Sequence, residues 1–331
     1  MSACLVTGAR GFVGGWLAKA LLERVDTVVS FDRRRLNERP SAVGMLGVED
    51  DLIQVQGDLT DAEAVARVLR AHGIDTVFHL AAETIVSTVK ESPVRGFDSN
   101  VRGTWTVLQA ALEQRVERVV VASSDKAYGA NEKLPYREHY PLQPNAPYEA
   151  SKAAADLIAR TYWHSYGLPI AVTRFANIYG GGDLNFSRLI PEAVSAAIQG
   201  RPPVLRSDGS PERDFLYVED AASAYLAIAD NLERDEVRGE AFNAGGGRPY
   251  PVREVVETIA RLADTGVEPD IRGTGNPDGE IDRQYVDPTK LSEVVGWRPA
   301  VGLEDGLRRT IEWYRAHPES LAPAESAVAG A

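Results

Sequence analysis

The sequence is short of several things, and each shortage excludes a class of function. Cys4 is the one cysteine among 331 residues, so an intramolecular disulfide cannot form and a thiolate metal site would lack ligands. Positive charge is also scarce: 36 Lys and Arg against 48 Asp and Glu leave a net charge of −12, the opposite of the basic face that phosphate-backbone binding usually needs. No apolar run approaches the roughly 18 residues of a membrane-spanning helix. The N-terminus has no basic leader and runs directly into a strand-like stretch. Together these features point to a cytoplasmic, metal-free chain with neither nucleic acid nor membrane as partner. Lysine is rare as well. Lys19, Lys90, Lys126, Lys133, Lys152 and Lys290 are the only six among 36 basic residues, so the position of each is informative.

What the sequence has is a regular alternation of short apolar runs with longer amphipathic ones. Strands are expected at residues 3–7, 27–32, 52–57, 76–81, 116–124 and 169–175, and helices at 12–25, 61–72, about 92–114 and 148–166. Such alternation builds a parallel sheet covered by helices on both faces, a doubly wound α/β fold whose ligands sit at the carboxyl ends of the strands. Beyond residue 179 the pattern loosens into Gly- and Pro-rich turns, with helical stretches near 188–199, 219–231, 252–264 and 304–317. A larger domain is therefore expected over residues 1–179 and a smaller C-terminal substrate-binding lobe over 180–320, entered through Gly180, Gly181 and Gly182. The Ala-, Ser- and Pro-rich stretch 321–331 reads as a disordered tail.

Between the first strand and the first helix, Gly8, Gly11 and Gly14 recur at intervals of three. Glycines there permit a tight turn and let a pyrophosphate approach the helix N-terminus closely. Such a loop also occurs for packing alone. Here Asp32 closes the second strand 18 positions after Gly14, where a carboxylate accepts hydrogen bonds from an adenosine ribose. An ionised Asp32 repels a 2′-phosphate and favours NAD over NADP. Arg33, Arg34 and Arg35 oppose that preference if they face the cofactor, and are a solvated basic turn if they do not.

Tyr148 and Lys152 stand at i and i+4, neighbours on one helical face. A nearby cation stabilises a phenolate and lowers the tyrosine pKa toward a value useful in a general base. With 12 Tyr in the chain and lysine so rare, about 0.2 chance occurrences of this spacing are expected. An exposed helix pair is the ordinary reading of such a match. The dinucleotide half-site, and the strand-end serines Ser123 and Ser124 on the ligand side of the sheet, favour the catalytic one.

These features are joined by Gly57–Asp58–Leu59, His79–Leu80–Ala81–Ala82, Asn100–Val101–Arg102–Gly103–Thr104, Arg174–Phe175–Ala176–Asn177–Ile178–Tyr179–Gly180 and Arg213–Asp214–Phe215–Leu216–Tyr217–Val218–Glu219–Asp220. With them, residues 3–316 resemble the extended short-chain dehydrogenase/reductase family, in particular its NAD-dependent nucleotide-sugar epimerases and dehydratases. The resemblance implies a Rossmann fold, NAD, and a nucleoside-diphosphate sugar as substrate. It also implies a homodimer joined by a four-helix bundle from the stretches near 92–114 and 148–166, where Ala153, Leu157, Ile158 and Thr161 make a helix-spaced face. Cofactor contacts are then Gly8, Arg10, Gly11, Phe12, Val13, Gly14, Asp32, Arg33, Asp58, Leu59, Leu80, Ala81, Ala82 and Asn100, together with Tyr148 and Lys152. Ser124, Tyr148 and Lys152 become the catalytic triad. Ser124, Asn177, Arg188, Arg213 and Arg283 become substrate contacts, guanidinium groups being suited to bidentate phosphate binding.

Members of that family share a first step, in which Tyr148 would take the sugar 4-hydroxyl proton while hydride leaves C4 for the nicotinamide. The fate of the 4-keto sugar turns on Asp125 and Lys126. Simple 4-epimerases carry small or hydroxylated residues at these positions, and 4,6-dehydratases carry Asp then Glu. Asp then Lys resembles the CDP-glucose 4,6-dehydratases, as does Gly181–Gly182–Asp183 with Arg188–Leu189–Ile190–Pro191. On that resemblance Asp125 is the acid for the departing 6-hydroxyl and Lys126, held neutral by desolvation or a nearby cation, the base for the C5 proton. The segment Arg213–Asp214–Phe215–Leu216–Tyr217 follows the general epimerase/dehydratase pattern instead, which leaves the nucleotide base open. The expected activity is a nucleoside-diphosphate-sugar 4,6-dehydratase. A 4-epimerase is the alternative, with a decarboxylase and a catalytically silent NAD-binding protein behind it.

Overall fold

The computed structural model describes residues 2–25, 27–33, 40–275 and 281–321; Arg34, Arg35 and the expected tail from 322 onward lie outside them. Among the described residues an all-parallel seven-stranded sheet forms from β1 (Ala3–Thr7), β2 (Thr27–Asp32), β3 (Ile53–Gln56), β4 (Thr76–His79), β5 (Arg118–Ala122), β6 (Ile170–Phe175) and β7 (Ala241–Ala244). Their spatial order is β7-β6-β5-β4-β1-β2-β3. The order reverses between β1 and β4, where a doubly wound sheet opens its ligand crevice.

The longer helices are α1 (Phe12–Leu22), α2 (Ala62–Ala71), α3 (Gly103–Glu113), α4 (Pro147–Tyr166), α5 (Leu189–Ile198), α6 (Val218–Asp230), α7 (Val252–Ala263) and α8 (Leu303–Ala316). Cys4 and Val6 of β1 turn toward the core beneath α1 and α6, while Ala3 and Leu5 turn toward the core beneath α2, α3 and α4. This follows from the two-residue period of a strand. Because both faces are covered, β1, β4, β6 and β7 are buried along their whole length, which is why strands of this kind read as compact apolar runs.

Two expectations change. The helix expected near 92–114 is a series of pieces: Val86–Glu91, Pro93–Phe97, a π-helical turn over Asp98–Arg102, and α3. Pro93 has no backbone N–H to continue the preceding helix, and in the widened turn Asn100 is buried. Second, the chain beyond 179 does not stay in a separate lobe. Helix α6 packs with α1 in one core of the sheet, and β7 extends the sheet beside β6 with Ala241 opposite Val172. A four-residue strand is too short to show a period.

The remaining segments gather around Ile190, Val194, Val255, Ile259, Leu307 and Tyr314, with α5, α7 and α8 as walls. The glycine-rich entry to this lobe is clamped. Trp16 Nε1 donates to Gly181 O at 2.8 Å, and a Cβ on Gly181 would lie 2.2 Å from the Trp313 ring.

A buried ion pair ties β6 to α4. Arg174 and Asp156 are 1% and 0% exposed and meet through two bonds, Nε to Oδ2 at 2.7 Å and Nη2 to Oδ1 at 2.9 Å. Arg174 Nη1 also donates to Tyr128 Oη at 3.0 Å and Glu138 O at 2.9 Å. Removing the carboxylate strands a buried guanidinium, so Asp156→Ala should cost about 3–5 kcal/mol in urea unfolding, whereas a loss below about 1 kcal/mol would show that the pair is dispensable.

Candidate active site

The carboxyl ends of the strands bring the expected residues into one row. Gly8 follows β1, Asp32 ends β2, Asp58 and Leu59 follow β3, Leu80, Ala81 and Ala82 follow β4, Ser124 follows β5, and Asn177 follows β6. Gly8 has φ +77°, and a Cβ there would lie 2.9 Å from Ala81 N and Cα; one on Gly14 would lie 2.2 Å from Gly8 O. The loop is thus packed backbone to backbone against the end of β4 and the start of α1, an approach that glycine permits, and it leads into the α1 N-terminus, where a pyrophosphate would bind. Phe12 and Val13 open α1 and pack into the lobe and sheet cores respectively. Arg10 is buried, with Nη1 engaged by Glu49 and by Gln54 Oε1 at 2.9 Å.

A cavity of about 370 Å³ opens along this row, lined by Arg33, Asp58, Leu59, Thr60 and Arg95 among others. Burial works to raise the Asp58 pKa, but hydrogen bonds from Thr60 N and Oγ1, both 2.8 Å, and the Arg33 and Arg102 charges outweigh it and hold the carboxyl below its usual range. A glycine cradle leading to a polar cavity with a fixed carboxylate fits the pyrophosphate and adenosine parts of NAD.

Beneath the row runs a chain of buried hydrogen bonds. Ala81 N–H donates to Thr7 Oγ1 at 3.2 Å, and Thr7 Oγ1 lies 2.9 Å from His79 Nδ1. His79 Nε2 lies 3.0 Å from Thr104 Oγ1, which donates to Asn100 O at 2.6 Å. Since the Thr104 proton is committed, His79 must carry its hydrogen on Nε2 and accept at Nδ1. Burial and the Lys152 charge bring its pKa down to about 3, so the ring stays neutral. Asn100 Nδ2 donates to Glu83 O at 3.0 Å and Ser151 Oγ at 2.9 Å, its Oδ1 accepts from Glu83 N at 2.6 Å, and Ser151 donates to Tyr148 O at 2.7 Å. The chain therefore leads from the glycine loop to the backbone of Tyr148.

Tyr148 lies in the first turn of α4, whose start is set by Pro147 and by Glu149, which accepts from Asn145 N and Ala146 N. Burial pushes the phenol up to about 12; Arg188 is the charge that pulls it down most, Asp125 pushes it further up, and a hydrogen bond with Ser124 lowers it. Lys152, from which the sequence leads one to expect the lowering, donates to Ala122 O at 2.8 Å, and burial brings its own pKa down to about 8. The same desolvation that penalises a phenolate penalises this ammonium.

Ser124 caps the turn Asp125–Tyr128, accepting from Lys126 N at 3.2 Å and donating to Asp125 Oδ1 at 3.1 Å. Asp125 is 2% exposed and its Oδ2 has no protein partner. Burial raises its pKa, against the lowering influence of Lys126, Ser124 and Arg213. Lys126 Nζ lies 3.5 Å from Oε1 of Gln284, a buried residue reached from the second lobe.

The other expected substrate contacts are Asn177 beyond β6 and three arginines of that lobe. Asn177 Nδ2 donates to Asp214 O at 3.1 Å, and Arg188 Nη1 pairs with Asp183 at 2.9 Å. Arg213 Nη1 donates to Glu212 O at 3.0 Å and Asp282 O at 3.3 Å, and the half-exposed Arg283 pairs with Glu212 at 2.6 Å. Asp214 accepts from Gly246 N at 2.8 Å and Val286 N at 3.5 Å, tying three segments of the lobe together. Sequence reasoning missed the parts played by His79, Ser151 and Asp214, although all three lie in family motifs. Gln284 lies in no motif and carried no signal.

The sheet order, glycine cradle and Tyr148–Lys152 pair define a dinucleotide-dependent enzyme of the Rossmann class. Residues 4–245 match the NAD dependent epimerase/dehydratase family, and the chain belongs to it. It is 33% identical to a dTDP-glucose 4,6-dehydratase of Xanthomonas campestris pv. campestris, with 95% of this chain and 93% of the relative covered. Among solved structures, a dTDP-glucose 4,6-dehydratase from Streptomyces venezuelae with NAD bound is similar at a TM-score of 0.85 and 34% identity, covering 96% of this chain and 98% of that one. A UDP-glucose 4-epimerase from Thermotoga maritima is similar at 0.87 and 28%, covering 96% and 99%.

Burial raises the Asp214 pKa to about 7, with the Asp125 charge pushing the same way against the backbone hydrogen bonds. Between the ordinary carboxyl value and about 7 the folded chain binds this proton and the unfolded chain does not, so the contribution of Asp214 to stability falls as pH rises through that window. The stability difference between wild type and Asp214→Asn should therefore move in favour of the variant from about pH 4 to about pH 7, read by urea unfolding across pH. A difference independent of pH would refute the shift.

Proposed function

We propose that this chain is a nucleoside-diphosphate-hexose 4,6-dehydratase working through a 4-keto sugar. The observation that carries the reading is Asp125: a buried carboxyl with a raised pKa and one oxygen without a partner, placed between Ser124 and Lys126 at the end of β5. A 4-epimerase has no use for such a proton donor. The name of the Xanthomonas relative supports elimination, and makes dTDP-glucose the first substrate to test.

NAD, when bound, supplies the acceptor for hydride from sugar C4 and returns it at C6. Gly8, Gly11 and Gly14 would take its pyrophosphate, Asp32 the ribose, and Asp58, Leu59 and Arg33 the adenine end, with Ala81, Ala82, Asn100 and Lys152 along the nicotinamide side. Tyr148 Oη takes the 4-hydroxyl proton, helped by Ser124 and by the Arg188 charge. The resulting ketone acidifies the C5 hydrogen. Lys126 Nζ takes that proton while Asp125 gives its own to the 6-hydroxyl, which leaves as water. Lys126 then returns its proton to C5, and the proton gathered by Tyr148 balances the one Asp125 gave up. Asn177, Arg213, Arg188 and Arg283 hold the diphosphate, Arg283 by exchanging Glu212 for phosphate.

Residues 180–320 supply most of the substrate contacts in this reading, with α6 and β7 remaining part of the cofactor-binding layer. Val94, Phe97, Trp105, Leu157 and Tyr166 are exposed on neighbouring elements, an apolar patch of the kind that marks an interface and supports the expected homodimer. No helix among the described residues is long and apolar enough to cross a membrane, and the lone Cys4 is buried, both compatible with the cytoplasmic reading.

Incubation with dTDP-, UDP- and CDP-glucose should give a 4-keto-6-deoxy product, recognised by mass and by its absorbance in alkali. A C4-inverted sugar that keeps its 6-oxygen would instead establish the epimerase. Tyr148→Phe should slow C4 oxidation by about 10²–10⁴-fold, and normal turnover by it would refute the assignment. Lys126→Ala should stop the reaction after C4 oxidation. Leu157→Glu should shift the protein from dimer to monomer in analytical ultracentrifugation, and an unchanged dimer would place the interface elsewhere.

A further inference from the structure

Gln284 is 1% exposed, yet its side chain is only half satisfied. It ends the short strand Arg283–Gln284, which runs parallel to Glu212–Arg213 with Gln284 opposite Arg213, and its carbonyl accepts from Asp214 N at 3.1 Å. The backbone is thus fixed on both sides of the side chain. Oε1 lies 3.5 Å from Lys126 Nζ, and Nε2 has no partner. Leaving a buried donor unpaired is costly. Such groups are few: among the described residues they are Arg10 Nε, Asp125 Oδ2 and Gln284 Nε2. Two of the three flank Lys126, one preceding it in the chain and the other belonging to the side chain that meets its nitrogen. Unpaired groups concentrated at one side chain mark a place where a ligand completes the hydrogen bonding.

We propose that Gln284 is a positioning residue for the elimination, holding the Lys126 amine through Oε1 and offering Nε2 to an oxygen of the bound hexose; this rests on the dehydratase reading. To act as the base, the Lys126 amine must present a lone pair beside two N–H donors. An acceptor anchored on the second lobe takes one N–H and thereby sets the rotation of the lone pair about the Cε–Nζ bond, which must meet the C5 hydrogen. An amide suits this task better than a carboxylate, because a carboxylate would hold the lysine as an ammonium with no lone pair. At 3.5 Å the contact is at the outer limit of a hydrogen bond, and catalytic contacts of this kind tighten when substrate is bound.

The test separates the two half-reactions on dTDP-, UDP- and CDP-glucose. Rapid quenching followed by borodeuteride trapping and mass spectrometry counts 4-keto-hexose and 4-keto-6-deoxyhexose independently. Gln284→Met should slow elimination by about 10–100-fold, part of the general-base contribution, and should slow C4 oxidation much less. A deuterium isotope effect at C5 should appear on kcat, and kcat should fall more than KM rises. Should the methionine variant melt below the assay temperature, Gln284→Asn, which withdraws the amide by one methylene, should show the same selective loss. Equal slowing of both steps would reduce Gln284 to a structural role, and unchanged elimination with Lys126→Ala inactive would overturn the inference alone. Normal elimination by Lys126→Ala would overturn the dehydratase reading and the inference with it.

Discussion

The site depends on a histidine that must not become charged. His79 accepts at Nδ1 and donates at Nε2, and both neighbours are threonine hydroxyls whose other bonds are already committed, one receiving from Ala81 N and one donating to Asn100 O. A proton on Nδ1 would face the Thr7 hydroxyl with a second donor, forcing it to turn and give up its place between β1 and β4. Burial prevents this, and the Lys152 ammonium adds to the penalty. The Lys152 cation thus helps to keep the scaffold beneath it neutral. Through Asn100 and Ser151 the scaffold reaches the Tyr148 backbone, so the cofactor cradle and the phenol are parts of one rigid hydrogen-bonded unit.

Much of this was legible in the sequence. The strand and helix alternation, the glycine spacing, Asp32 and the Tyr148–Lys152 pair each follow from a local rule, and the sheet and its carboxyl edge follow from those rules together. The parts that were not legible share a physical cause: they depend on contacts across the fold. Strand β7 is recognised as a strand only because β6 offers it an edge. The π-helical turn that buries Asn100 breaks a helix whose residues otherwise look continuous. Arg174 sits in a motif that resembles a binding segment, yet its guanidinium is spent on Asp156, Tyr128 and Glu138. No spacing could distinguish that arginine from one directed at phosphate.

Net charge takes on a more local meaning in the structure. A chain of net charge −12 that binds two diphosphates must place its cations rather than accumulate them, and most of its arginines already have partners. Arg10 is held by Glu49 and Gln54, Arg188 by Asp183, and Arg283 by Glu212. Exposed ion pairs of this kind contribute little to stability, so Arg283 can exchange its carboxylate for a phosphate at low cost. Arg10, itself buried and held by a partly buried carboxylate, cannot do so cheaply. Phosphate contacts are therefore better drawn from the lobe arginines and from backbone N–H groups of the glycine loop than from Arg10.

Reaction type is decided where the two parts of the chain meet. The sheet and its covering helices would supply oxidation at C4 in either reading, because Ser124 follows β5 while Tyr148 and Lys152 lie on α4, which packs against the sheet. Elimination needs in addition a proton donor and a base held in fixed relation, and neither Asp125 nor Lys126 is fixed by the sheet alone. Asp125 feels Arg213, Asp214 feels Asp125, and Lys126 meets Gln284. All three partners are carried by two adjoining strands, Glu212–Arg213 and Arg283–Gln284, and the residue that follows the first. Two like carboxyls in one buried cluster oppose each other's ionisation, which favours keeping a proton there for the leaving hydroxyl. Drawing the lobe away would loosen that cluster and also take the Arg188 charge from the phenol, so lobe position bears on both half-reactions while the hydrogen-bonded chain beneath the phenol stays intact.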